Sequence, residues 1–233
     1  MVKICLDPGH GGTDPGALLG KRYEKDDVLR LALAVKPLLE AQGLGVVMTR
    51  TDDKAVPSIS ERCQMANTAG CAYYLSLHRD AAGPAAHGIS LWVHSRANAP
   101  TVRKAQDILD ELLAVVPTQD RGVQKGTPQN YENFGVNVYT TMASALLELG
   151  FITNADDNGR FDRYFDQYAE AVARGLCKAV GVTYTAKDKP AEAPEEEAVR
   201  IPTEELKAAY SALQAAHDAT GEAIEKIRMI LGV

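Results

Sequence analysis

The chain has 233 residues and a net charge of −6, which suffices for one full core and a small appendage. Six Lys/Arg against ten Asp/Glu fall from Tyr184 onward, so the tail carries −4 and the preceding body only −2. No basic stripe argues for nucleic acid or for adhesion to an anionic polymer, and no apolar run approaches the ~18 residues of a membrane span.

Cys5, Cys63, Cys71 and Cys177 show no C-x-x-C spacing. They read as buried free thiols, which suits a reducing cytosol. Met1 runs straight into the first apolar segment with no basic region and long apolar stretch before it. Synthesis in the cytoplasm without a signal peptide is therefore expected.

In chain order, residues 3–6 predict a strand that ends in the loop LDPGHGGTDPGA, dense in Gly and Pro. Residues 25–42 predict an amphipathic helix closed by Gly43, and 45–49 a strand. Ser58 or Ser60 caps a helix reaching about residue 68. Residues 72–77 are nearly all apolar, as expected of a central strand covered on both faces. A strand over 89–94, a helix over 98–116 stopped by Pro117, a buried strand over 145–149 and a helix over 160–180 complete the body. This alternation predicts an α/β domain over 1–182, with a mostly parallel central sheet and helices on both faces. Its active site belongs at the carboxyl ends of the strands.

From 183 to 202 the chain turns to Pro, Ala and Glu and reads as a semi-extended acidic linker. Thr203, followed by Glu204 and Glu205, opens a helix over 203–233. Leu206, Tyr210, Leu213, His217, Thr220, Ile224, Ile227 and Leu231 follow a 4-3 spacing. That seam predicts either weak self-association into a homo-oligomer or packing back on the body.

Three potential metal ligands stand where strands end or helices begin: His10 in the first loop, Glu24 opening the first helix and His78 closing the apolar strand. Two His and one Glu form a zinc set that leaves a position open for water. Histidines and acids at element ends occur in any chain of this size, so spacing alone leaves a purely structural role open. Glu148, flanked by Leu146, Leu147, Leu149, Gly150 and Phe151, has a context that would raise its pKa by desolvation, as a general base requires. A strand-end Glu held by an Arg or by a helix N-terminus is the alternative. His87 and His94 flank a strand and read as solvated or hydrogen-bonded rather than as ligands. Asp14 reads first as a turn residue and second as a partner of His10. Arg62 reads as one half of an ion pair on a helix face.

Taken together, LDPGHGGTDPGA, Glu24 opening EKDDVLRLALAV, SLHRDAA, AHGISLWV, RGVQKGTPQNY and LLELGFITN resemble, in order, the motifs of zinc-dependent N-acetylmuramoyl-L-alanine amidases of the amidase-3 type. The resemblance covers the body and none of the tail. It implies one zinc ion per chain on His10, Glu24 and His78, and Glu148 as the catalytic carboxylate. The substrate would be peptidoglycan, cut between the lactyl group of N-acetylmuramic acid and the first L-alanine of the stem peptide. Two positions depart from the pattern: Asp80 replaces the usual Asn, and Ser90 stands where an acid often follows H-G-x. Asp80 is thus a candidate substrate contact with an added charge and no amide donor. A phage or prophage endolysin fits the missing leader. Other readings are a catalytically silent wall-binding or activator module, or a zinc hydrolase acting on a different amide.

Overall fold

A sheet of six strands forms the middle layer, in the order β4-β1-β5-β8-β6-β7, in a computed structural model that describes residues 1–54, 56–127 and 133–186. The strands are β1 (Lys3–Pro8), β4 (Gly45–Met48), β5 (Tyr73–Asp80), β6 (Ile89–Val93), β7 (Asp120–Lys125) and β8 (Ala143–Phe151). A two-stranded hairpin, β2 (Leu18–Leu19) with β3 (Arg22–Tyr23), lies in the long connection after β1. Strands β4, β1, β5 and β8 run parallel. β6 is antiparallel to β8 and carries β7 parallel to itself. The mostly parallel α/β architecture is thus the one expected. Residues 1–185 form one compact unit, and the expected linker beyond 186 and the helix over 203–233 lie outside the described residues.

Helices cover both faces. α1 (Glu24–Glu40), α3 (Ala99–Leu113) and α6 (Phe165–Ala179) bury Val28, Leu31, Ile108, Leu112, Val172 and Leu176 against Ile4, Leu6, Leu75, Leu77 and Leu147. On the other face, α2 (Ile59–Ala69) and α4 (Gly135–Tyr139) enclose a smaller cluster of Cys5, Cys63, Cys71, Tyr74, Val136 and Leu146. Successive side chains alternate between the faces of a strand. Because Leu75 and Leu77 serve the larger core, His78 falls on the α2–α4 face. Likewise Leu147 and Leu149 place Glu148 there. All four cysteines are free and buried.

Local signals account for most boundaries. Ser58 caps α2 in a capping box with Glu61, and Gly70 closes it at φ 64°. Asn98 caps α3 through the Thr101 amide. The helix expected over 160–180 is instead two helices, α5 (Ala155–Arg163) and α6, separated at Tyr164. α5 buries Asp157, Asn158 and Phe161 beneath the strand ends, while α6 lays a broad apolar stripe on α1 and α3. One straight helix does not serve both directions. Residues 183–185 belong with the body, where Gln42 bonds both the amide and the carbonyl of Thr185.

Candidate metal centre and active site

The chain passes from β1 through α1 to β4 on one side, then returns through α2 to β5 on the other. The crevice at the carboxyl ends of β1 and β5 is therefore the topological switch point, where α/β sheets bind ligands. His10 comes from the loop leaving β1, Glu24 from the first residue of α1, and His78 from the end of β5. One potential ligand atom from each lies within 4.8 Å of the others. Glu24 Oε1 sits 3.1 Å from His10 Nε2 and 2.9 Å from His78 Nδ1.

His10 and Glu24 are oriented from behind. His10 Nδ1 lies 2.9 Å from Asp14 Oδ2, which leaves Nε2 directed at the centre. The amides of Arg79 and Ala17 donate to Glu24 Oε1 and Oε2 at 2.9 and 2.8 Å. Burial alone would raise the Glu24 carboxyl, yet its bonds to His10 and His78 hold it well below the ordinary carboxylate range. Burial opposes protonation of His10, and Glu24 and Asp14 together outweigh that and raise its pKa.

The glycines of the first loop make the approach of these groups possible. A Cβ on Gly9 would stand 2.3 Å from His78 Cε1. One on Gly16, at φ 65°, would stand 2.6 Å from Glu24 Oε2 and 2.7 Å from His10 Cδ2. His10 itself has φ 59°, the only positive φ outside glycine among the described residues.

Two arginines hold this backbone. Arg50 donates to the carbonyls of Pro8 and Gly9 at 3.0 and 2.8 Å. Arg62 donates to those of Pro8 and His10 at 2.9 and 2.7 Å and to Asp7 at 2.7 Å. Arg62 thus forms the expected ion pair, with Asp7, but as a buried clamp under the loop, because the helix face that carries it is turned inward. Asp7 also accepts from Thr49 and Ser76, both at 2.6 Å. Burial would raise its carboxyl, but Arg62 and the two hydroxyls keep it lowered.

Glu148 stands directly across from His78 in the β5–β8 register, and across from Ser90 in β6. Its Oε2 is shielded from solvent and has no hydrogen-bond partner. Burial, reinforced by Asp80 and Glu24 and only partly offset by Arg79, pushes this carboxyl well above the usual range. Asp80, two residues past His78, is half-buried, accepts from the Ala81 amide at 2.7 Å, and is raised mainly by burial. The alternative for Glu148, an acid held by an arginine, is not what the structure shows, because Arg79 is engaged by Asp27 and Asn158.

Other candidates fall elsewhere. His87 contacts the Ala85 carbonyl, and His94 accepts from the Arg96 amide at the far end of β6. Asp14 combines both expected roles, since its Oδ1 also takes the Gly16 amide. Asp7, Arg50, Gly9 and Gly16 escaped the sequence reading. The crowding of Gly around His10 in LDPGHGGTDPGA was the available signal.

The residues present fit a zinc ion. Two imidazoles and one carboxylate converge, His10 and Glu24 with their outer atoms already bonded, beside a carboxyl whose inner oxygen is orphaned.

Residues 4–178 match the family model of N-acetylmuramoyl-L-alanine amidases. The chain is 35% identical over 190 residues to the N-acetylmuramoyl-L-alanine amidase CwlM of Bacillus licheniformis, covering 80% of this chain and 72% of that protein. It is 32% identical over 189 residues to the sporulation-specific N-acetylmuramoyl-L-alanine amidase of Bacillus subtilis, covering 80% and 70%. The crystal structure of an N-acetylmuramoyl-L-alanine amidase from Clostridium difficile 630 superposes with a TM-score of 0.72 at 30% identity, covering 77% of this chain and 97% of that one. The catalytic domain of CwlV from Bacillus (Paenibacillus) polymyxa gives 0.70 at 29%, covering 78% and 100%. With the family matched across most of its length and the fold shared with solved members, the chain belongs to the N-acetylmuramoyl-L-alanine amidases.

Proposed function

We propose that the chain hydrolyses the amide between N-acetylmuramic acid and the L-alanine of the peptidoglycan stem, with His10, Glu24 and His78 holding one zinc ion and Glu148 moving the proton. The observation that carries the role of Glu148 is its position: an unpartnered, solvent-shielded carboxyl oxygen in register with a candidate ligand. Zinc bound there would polarise the amide carbonyl, lower the pKa of water and draw the raised Glu148 carboxyl back toward neutral pH. Glu148 takes a proton from water as the new C–O bond forms, then passes it to the amide nitrogen as the C–N bond breaks. The products are the lactyl carboxylic acid and a peptide with a free amino terminus. Asp14 keeps the Nδ1 proton of His10 in place, so that Nε2 remains a lone-pair donor. Asp80, near Glu148 and partly open, is positioned to contact substrate and to support the raised Glu148 pKa.

The test is digestion of purified sacculi by the full chain, with mass spectrometry of the released fragments. New L-alanine amino termini on intact stem peptides are expected, lost on chelation and restored by zinc. Fragments cut at another bond, or full activity from protein shown to be metal-free, would overturn the reading.

A further inference from the structure

On the α2–α4 side of the metal ligands lies a cavity of about 300 Å³, bounded at one end by His10 and His78. Its wall is apolar, built from Val56, Ile59, Phe134, Val136 and Leu146. A sugar presents hydroxyls and an acetamide around its ring and requires matching donors and acceptors, few of which are free here because Ser58 and Arg62 are already bonded within the protein. The methyl of an alanine and the methylenes of the residue after it suit such a wall, and the volume admits a dipeptide.

Two groups in this cavity could have received an anion, and both are already engaged. Arg62 is the only cation among the described lining residues. Its guanidinium is divided among Asp7 and the carbonyls of Pro8, His10 and Pro57. The N-terminus of α2 already carries a carboxylate of its own, Glu61, which takes the Ser58 amide and hydroxyl at 2.7 Å and opposes a second anion there. Asp14, half-exposed at the rim, adds a negative charge. A zinc dication with Glu24 and Asp14 would be close to neutral, so it leaves little attraction for a further carboxylate.

We propose that this cavity receives the stem peptide and selects a second residue carrying a neutral carboxamide over one carrying a free carboxylate. The proposal rests on the amidase reading above and adds Ile59 as a specificity-determining residue. Ile59 is half-exposed at the start of α2, so its replacement does not disturb the core.

The experiment uses two N-acetylmuramoyl dipeptides with the γ-carboxyl blocked as a methylamide, identical except for D-isoglutamine or D-glutamate in second position, and the zinc-loaded full chain. The carboxamide should be cleaved with a kcat/KM about tenfold higher or more, because the carboxylate loses water without gaining a partner. Ile59→Lys should shrink that ratio at least about fivefold by improving the carboxylate substrate, whereas Ile59→Ala should raise KM for both and leave the ratio unchanged. Calorimetric binding of the two product dipeptides to the metal-free full chain should show the same preference. Cleavage of both substrates at rates within twofold, unmoved by Ile59→Lys, would overturn the assignment. If neither substrate is cleaved while the dipeptides still bind with the expected preference, the amidase reading fails and the cavity assignment stands.

Discussion

Replacing Glu148 by Gln should remove activity and, in the metal-free protein, add stability in a pH-dependent way. In the unfolded chain an ordinary Glu titrates near 4.3. In the fold its pKa is raised by burial and by Asp80 and Glu24, so ionisation is less favourable there. Below the unfolded pKa both states hold the proton and the group is neutral in its effect. As pH rises toward the folded pKa the native state loses stability, by about 1.4 kcal/mol for each tenfold gain in proton affinity. Gln does not ionise. Thermal unfolding of chelator-treated wild type and Glu148→Gln should therefore be compared from pH 4 to pH 8, with the pH 4 difference fixing the pH-independent part. Each kcal/mol corresponds to roughly 2–4 °C for a domain of this size, so the variant should gain at least that by pH 7.5. Added zinc should narrow the gap, because a dication supports the wild-type carboxylate, while turnover of the variant stays down by roughly a hundredfold or more. Melting curves that differ by the same amount at every pH would refute the reasoning.

Asp14→Ala frees the Nδ1 side of His10 and should weaken zinc binding about 10–100-fold, measured by competition with a chromophoric chelator. Gly16→Ala forces a Cβ into Glu24 and His10 at a positive φ; it should lower the melting temperature by several degrees and reduce zinc per chain by elemental analysis, and full occupancy would show that the loop has slack. For the tail we propose weak self-association through the heptad seam over 203–233. Sedimentation of the full chain against one ending at residue 186 should show a larger species only for the former at roughly tens of micromolar, and two monomers would point to packing on the body or on a wall ligand.

Elements that bury a continuous apolar run were legible in the sequence because burial dictates composition there. β1, β5 and β8 show this, as do α1 and the capped α2. β7, with the sequence DRGVQK, was not: it is an edge strand, largely exposed, and held by the β6 backbone rather than by its side chains. The hairpin β2–β3 and the five-residue α4 are too short to set up a period. The four residues proposed for the chemistry stood out in the sequence for a different reason. His10, Glu24, His78 and Glu148 sit at or near strand and helix ends inside recognisable motifs, whereas Asp7, Arg50 and Arg62 are tied to the site by bonds that span 41 to 69 residues of the chain.

Those distant partners explain how the site holds its shape. A histidine at φ 59° is strained by roughly 1–3 kcal/mol, and the loop carrying it exposes a run of carbonyls that no sheet neighbour takes. Arg50 and Arg62 supply donors to the carbonyls of Pro8, Gly9 and His10 in turn. Hydrogen bonds to a charged donor contribute about 1.5–3 kcal/mol each, so several of them outweigh the strain. Asp7 neutralises Arg62 from beneath, and the buried pair is tolerable because Thr49 and Ser76 satisfy the remaining carboxylate positions. Glu24 and both imidazoles are thus gathered by the fold itself. It follows that binding of the proposed zinc would need little reorganisation, and that loss of either arginine would release the loop before it affected any of the three candidate ligands directly.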